Sequence, residues 1–211
     1  MPLAVPGFGE AMVSLPLGAR GPKPVVVVAH GNHDDPGSHC NAWREIVGNS
    51  GFVLCPRGTL RTDSKPGEVS YTHGKELPAE IEAGVAALHA RYGALVDPGP
   101  MIYVGFSQGA YLGSIVVSRD PAHFSRVVLI EGNGGWNEKT FAKSGGQRVL
   151  FACGRASCVK SAQPFVSRFE HAGVRSKVVY GEGAGHTYGG AVGDALKAQW
   201  PWVIEGDRRW G

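Results

Sequence analysis

The feature that most restricts the fold is an apolar run at residues 25–28, four consecutive valines followed by Ala29, His30 and Gly31. A short β-branched run without polar alternation is typical of a strand that is covered on both faces. A mainly parallel sheet with helices on both sides provides that environment. The run therefore predicts an α/β protein.

Strand-like and helix-like segments alternate along the rest of the chain. Apolar positions at Leu77, Ile81, Val85, Leu88 and Tyr92 form one stripe of a helix. Further strands are predicted at residues 52–54, 101–104, 127–130, 149–151 and 178–180, and helices at 40–48, 77–92, 110–117, 160–172 and 191–203. This order indicates βαβ units and one α/β domain over residues 1–211, with a mainly parallel central sheet and helices on both faces.

Composition excludes several classes of protein. Charged residues make up 18% and the net charge is +3, without a block of like charges, so the sequence indicates no nucleic-acid partner. No apolar stretch is long enough to predict a membrane span. The amino terminus lacks the pattern of a signal peptide, so we expect a cytoplasmic protein if the chain is complete, or an exported one if a leader has been removed.

The segment Gly105-Phe106-Ser107-Gln108-Gly109 matches the pattern Gly-x-Ser-x-Gly. The chain contains 32 Gly in 211 residues, so the pattern can easily occur by chance. Only the predicted elements on either side of the motif can show whether it is meaningful. A predicted strand runs directly into the motif and a predicted helix follows it. A sharp strand-to-helix turn of this kind exposes a nucleophilic serine, here Ser107, and places the N–H of Gln108 to stabilise an oxyanion.

Two further segments lie in the order that serine hydrolysis requires. His30-Gly31-Asn32 follows the valine strand, where the N–H of Asn32 is a candidate second oxyanion donor. His186 lies in a glycine-flanked loop between the last predicted strand and the last helix, where a general base for Ser107 is expected. With these elements, residues from about 20 to 203 resemble the α/β-hydrolase superfamily. The similarity is greatest to the small, lidless carboxylesterases, acyl-protein thioesterases and dienelactone hydrolase-like proteins. It implies acyl transfer without a cofactor and without a large cap domain.

The acid of the triad departs from the pattern of these families. Their acid usually follows a later strand as Gly-x-x-Asp, but here the corresponding segment is residues 153–158 and Ser157 stands at the acid position. A serine cannot carry the charge that stabilises an imidazolium. The superfamily has an alternative acid position one strand earlier, and Glu131 directly follows that strand. Glu131 is therefore the predicted acid, and Asp34, Asp35 and Glu182 are weaker candidates.

The loops at residues 32–40, 56–76 and 132–146 are expected to shape an open site. Tyr71 and Trp136 lie in two of them and are candidate substrate-binding residues. The substrate is a small molecule or an acylated partner, and the sequence does not separate an ester from a thioester.

Three alternatives remain open at this point. Ser157 at the usual acid position is consistent with a catalytically silent binding protein. The segment 30–39, with ligand types at His30, His33, Asp34, Asp35 and His39, suits a metal-dependent hydrolase, although its aspartates are also explained by a turn. The four cysteines, Cys40, Cys55, Cys153 and Cys158, allow three full pairings or four buried thiols, and the short spacing of the last two suggests a local bridge in an oxidising compartment.

Overall fold

The computed structural model describes residues 1–72 and 76–211. In these residues the strands are β1 (Pro2–Ala4), β2 (Glu10–Ser14), β3 (Val25–Ala29), β4 (Phe52–Cys55), β5 (Met101–Phe106), β6 (Phe124–Ile130), β7 (Arg148–Cys153) and β8 (Arg175–Tyr180). The helices are α1 (Pro36–Val47), α2 (Glu76–Tyr92), α3 (Gln108–Arg119), α4 (Glu138–Lys143), α5 (Ala156–His171) and α6 (Gly190–Ile204). Short 3₁₀ turns occupy Gly93–Leu95 and Arg208–Trp210.

All the described strands belong to one sheet in the order β1-β2-β4-β3-β5-β6-β7-β8. From β4 to β8 every neighbouring pair is parallel, whereas β1 and β2 are added antiparallel at one edge. The carboxyl ends of the parallel strands therefore meet at one edge of the sheet. This arrangement confirms the predicted fold class.

The valine strand β3 shows why both faces of the sheet must be covered. Val25 and Val27 belong to an apolar core that includes side chains of α2, α3, α4 and α5. Val26 and Val28 belong to a second core, which includes side chains of α1 and α6. Because successive side chains of a strand point to opposite faces, an unbroken valine run fills both cores.

The amino-terminal strands and α4 are the elements that the sequence pattern misses. β1 is an edge strand of only three residues, β2 is a half-buried strand beside it, and α4 is a helix of six residues. Elements of that length carry too little periodicity to be recognised. The connection from β6 to β7 contains α4 and no larger insertion. This agrees with the expectation that the protein has no large cap domain.

Helix α1 begins earlier than its predicted start at residue 40. The Asp35 carboxylate accepts hydrogen bonds from the backbone N–H groups of Gly37 and Ser38, at 2.9 and 3.1 Å, and Pro36 is compatible with a first helical turn. The capping chemistry thus extends the helix by one turn. Similarly, α5 begins at Ala156 instead of at residue 160.

The four cysteines form two disulfides, so the alternative of four buried thiols is wrong. Cys40–Cys55 joins α1 to the end of β4, with a sequence separation of 15. Cys153–Cys158 joins the end of β7 to the first turn of α5, which is the local bridge that the spacing suggests. Within the described ranges, no helix has the length and apolar character needed to cross a membrane.

Candidate active site

Ser107 lies between β5 and α3 in a backbone conformation that L-residues rarely adopt, with φ 50° and ψ −105°. The flanking glycines allow this turn because a side chain at either position would collide with backbone. A Cβ at Gly105 would lie 2.5 Å from the carbonyl carbon of Gly109, and a Cβ at Gly109 would lie 2.4 Å from the Ala29 oxygen. The sequence Gly-x-Ser-x-Gly is therefore required by close approach of α3 to β5 and β3.

The three predicted triad side chains lie in one hydrogen-bonded row. Ser107 Oγ is 2.8 Å from Nε2 of His186, and Nδ1 of His186 is 3.0 Å from Oε2 of Glu131. The residues come from the ends of β5 and β6 and from the loop between β8 and α6. The structure thus brings together groups that are 55 and 79 residues apart in sequence.

Glu131 directly follows β6 and also has a left-handed backbone, with φ 54°. Its side chain is fully buried. Oε1 accepts hydrogen bonds from the backbone N–H groups of Gly154 and Arg155, at 2.7 and 3.1 Å, and Oε2 accepts one from Nε of Arg155 at 2.6 Å. Burial raises the pKa of this carboxyl, but the hydrogen bonds from Gly154, His186 and Arg155 outweigh burial and hold the pKa below its ordinary value. The carboxylate is therefore ionised and its orientation is fixed.

His186 lies in the loop between β8 and α6, and its side chain is 40% exposed. The loop is attached to the end of β7, because Gly185 donates its N–H to the carbonyl of Gly154 at 3.1 Å. The ring of Phe106 packs against the imidazole with centroids 5.0 Å apart. These contacts hold the imidazole between Ser107 and Glu131 while one side stays open to solvent.

The predicted oxyanion donors lie at the junction of β3 and α3. Gly109 donates its N–H to the carbonyl of His30 at 3.0 Å, which brings the segment after β3 next to the start of α3. Gln108 is the first residue of α3, so its N–H has no acceptor within the helix. Asn32 follows His30 closely and is exposed. The role of both N–H groups stays a prediction.

Tyr71 and Trp136 take part in packing contacts. The ring of Tyr71 is buried and stacks on His30 at 4.4 Å, and its backbone N–H and carbonyl are both bound by the side-chain amide of Gln108 at 2.9 Å.

Trp136 packs against Phe141 and Phe169, with centroids 5.7 Å away in each case. It lines a cavity of about 230 Å³ formed by α3, Pro121 and residues 135–141. Substrate binding by either residue stays a prediction. Residues 73–75 of the predicted 56–76 loop lie outside the described residues.

The carboxylates of the segment 30–39 are engaged in local structure. Asp34 accepts hydrogen bonds from the N–H groups of Gly31 and Asp35, at 3.2 and 2.8 Å, and Asp35 caps α1. The ring nitrogens of His30 lie 2.7 and 2.8 Å from the carbonyls of Gly31 and Arg57. In the part of the chain that the structure describes, the one cluster of possible metal ligands is Glu131 with Cys153 and Cys158, and both sulfurs are in a disulfide.

Arg155 is the residue at this site that sequence reasoning does not identify. Its Nη2 lies 2.8 Å from Nδ1 of His186, and its Nε binds Glu131. The guanidinium thus contacts both Glu131 and His186, two of the three side chains in the hydrogen-bonded row. A signal is nevertheless present in the sequence, since Arg155 lies in the segment that corresponds to the usual acid position of the families that the sequence resembles.

The chain is similar in fold to several esterases of known structure. Est1E from Butyrivibrio proteoclasticus, with ferulic acid bound, superposes with a TM-score of 0.70 at 14% identity, covering 97% of this chain and 99% of that one. The Bacillus cereus carboxylesterase gives 0.65 at 15% identity over 92% and 94% of the two chains. Esterase PE8 gives 0.68 at 18% identity over 96% and 100%. The protein therefore has the α/β-hydrolase fold of these esterases, in agreement with the resemblance seen in the sequence. No protein-family model and no curated protein matches the sequence.

Proposed function

We propose that this protein is a serine hydrolase of carboxylic esters that acts through an acyl-enzyme on Ser107. The observation that supports this proposal most directly is the continuous row from Ser107 Oγ through His186 to Glu131, with distances of 2.8 and 3.0 Å. Its position at the carboxyl edge of an α/β-hydrolase sheet gives it the surroundings in which such rows catalyse acyl transfer.

In the proposed first step, Nε2 of His186 takes the hydroxyl proton of Ser107 as Oγ attacks the ester carbonyl. The N–H groups of Asn32 and Gln108 hold the oxyanion of the tetrahedral intermediate. The intermediate collapses as His186 gives the proton to the leaving alcohol. Water then attacks the acyl-serine by the same proton transfers and releases the acid. Glu131 orients the imidazole and stabilises its protonated form.

The open position of His186 favours substrates that reach the serine from solvent without a lid. Two of the neighbours described above are called a carboxylesterase and an esterase, which makes an ester the first substrate to test and a thioester the second. One α/β domain over the whole chain is sufficient for the chemistry, and no step needs a cofactor.

The proposal is tested with a fluorophosphonate probe and with p-nitrophenyl acetate. We expect stoichiometric labelling and turnover by the wild-type protein, both lost in Ser107→Ala. Ser118→Ala is a matched control, because Ser118 lies on the same helix and, among the described residues, its exposed hydroxyl bonds only the Ile115 carbonyl. Labelling absent from the wild type would favour the silent binding protein. Turnover that survives Ser107→Ala but is lost on chelation would instead establish the metal-dependent hydrolase.

A further inference from the structure

Two hydrogen-bonding groups compete for one nitrogen of His186. Oε2 of Glu131 lies 3.0 Å from Nδ1, and Nη2 of Arg155 lies 2.8 Å from the same atom. A carboxylate only accepts hydrogen bonds, and a guanidinium only donates them. Nδ1 can therefore satisfy one of these partners at a time.

The two arrangements differ in the tautomer of the imidazole. When Nδ1 carries the proton and donates it to Glu131, Nε2 has a free lone pair that can take the proton of Ser107. When Nδ1 accepts from Arg155, the proton is on Nε2 and the imidazole cannot act as the base for Ser107. Arg155 in its observed position thus opposes the productive tautomer.

Arg155 has room to leave this position. Its side chain is 48% exposed, and its hydrogen bonds to the described residues use Nε and Nη2, which leaves Nη1 available to a ligand. Glu131 does not depend on the guanidinium for its orientation, because Oε1 is also held by the N–H groups of Gly154 and Arg155. A shift of the guanidinium would therefore free Nδ1 without releasing the acid.

We propose that Arg155 is a specificity-determining residue that selects esters carrying a carboxylate, an inference that rests on the ester hydrolase function proposed above. The substrate carboxylate binds the Nη1 and Nη2 edge of the guanidinium in a two-pronged ion pair and draws Nη2 away from Nδ1. Binding of the anionic group then leaves His186 in the tautomer that accepts the proton of Ser107.

A short half-ester of a dicarboxylic acid is the substrate that we expect to reach from Ser107 to Arg155. The path from Ser107 Oγ to Nη2 of Arg155 crosses one imidazole ring and two contacts of 2.8 Å. An acyl chain with a few methylene groups between its two carboxyl carbons spans that path. A neutral ester of the same length reaches the serine but leaves Arg155 in place.

The test compares two esters of equal acyl length, the p-nitrophenyl half-ester of glutaric acid and p-nitrophenyl pentanoate. Ser107→Ala supplies the uncatalysed background for each. The ratio of their kcat/KM values should favour the glutarate ester in the wild type and fall at least about tenfold in Arg155→Met, because a charge-assisted hydrogen bond to the substrate is lost. Arg155→Lys keeps the charge and should retain part of the preference.

Arg168→Met is the matched control. Arg168 is also about half exposed and forms an ion pair, with Glu138 at 2.7 Å, so this variant should leave the ratio unchanged. A wild-type ratio that persists in Arg155→Met, or one that is already equal to one, would overturn the inference. If Arg155→Met does not fold, the salt dependence of the wild-type ratio decides: the preference should weaken as ionic strength rises, and a preference independent of salt rejects the ion pair.

These results also separate this inference from the proposed function. If neither ester is hydrolysed in a manner that depends on Ser107, the proposed function fails. If both are hydrolysed through Ser107 but the ratio does not respond to Arg155, only the assignment of Arg155 fails.

Discussion

The buried imidazole of His39 should make the stability of this protein strongly dependent on pH. His39 lies in α1, its ring is stacked on Tyr188 at 4.2 Å, and neither ring nitrogen has a hydrogen-bond partner among the described residues. Burial, with a smaller contribution from the nearby charge of His30, lowers the pKa of His39 from 6.5 to about 3. The folded protein therefore holds this imidazole neutral over most of the acid range.

The direction of the effect follows from proton linkage. Below pH 6.5 the unfolded chain binds a proton at His39 that the folded protein does not bind until about pH 3. Stability from the neutral ring is thus present above pH 6.5 and is lost as pH falls toward 3. Between pH 7 and pH 5, the free energy of unfolding should fall by about 2 kcal/mol through this one residue.

Urea unfolding at pH 7 and pH 5 measures this loss directly. His39→Phe keeps an aromatic ring on Tyr188 and removes the titrating group, so the loss between the two pH values should shrink by about 2 kcal/mol. Some loss remains, because burial also lowers the pKa of His30. His171→Gln, at an exposed histidine, is the control and should behave as the wild type. Equal losses in His39→Phe and the wild type would refute the reasoning, since they would mean that folding does not exclude the proton from His39.

Two further predictions concern the acid and one disulfide. Glu131→Gln should lower kcat by about 10⁴ by removing the charge opposite Nδ1, whereas Ser157→Ala should change it little because Ser157 lies exposed in the first turn of α5. Steady-state kinetics on one ester checks both, and wild-type turnover in Glu131→Gln would place the acid elsewhere. Replacing both Cys40 and Cys55 by alanine should lower the free energy of unfolding by about 3 kcal/mol, as expected for a bridge that closes a 15-residue loop. Chemical denaturation measures this change, and an unchanged midpoint would show that the bridge adds no stability.

The parts of the molecule that are predictable from sequence are those that depend on local pattern. The valines of β3 predict a buried strand, and the glycines beside Ser107 predict a sharp turn. Both predictions are possible because each structure depends on residues that are adjacent in sequence. The placement of Glu131 near His186 is also predictable, since a carboxylate directly after a buried strand lies at the sheet edge that carries the serine.

The remaining features depend on contacts that are distant in sequence. Nothing near Trp136 shows that it packs on Phe169, and nothing near His39 shows that its ring is covered by Tyr188. The contact between Arg155 and His186 spans 31 residues and is created by the pairing of β7 with β8. Such pairs become neighbours only when the whole sheet has formed.

The strained backbone at the sheet edge limits how this protein can be made more thermostable. In the described ranges, the non-glycine residues with left-handed φ are His33, Ser107 and Glu131, and conformations of this kind cost of the order of 1–3 kcal/mol each. A stability screen would therefore favour glycine at these three positions, and two of them hold the proposed nucleophile and acid. Selection for heat resistance alone would therefore replace the proposed nucleophile and acid. Stabilising substitutions are better sought in the helices and at the opposite edge of the sheet.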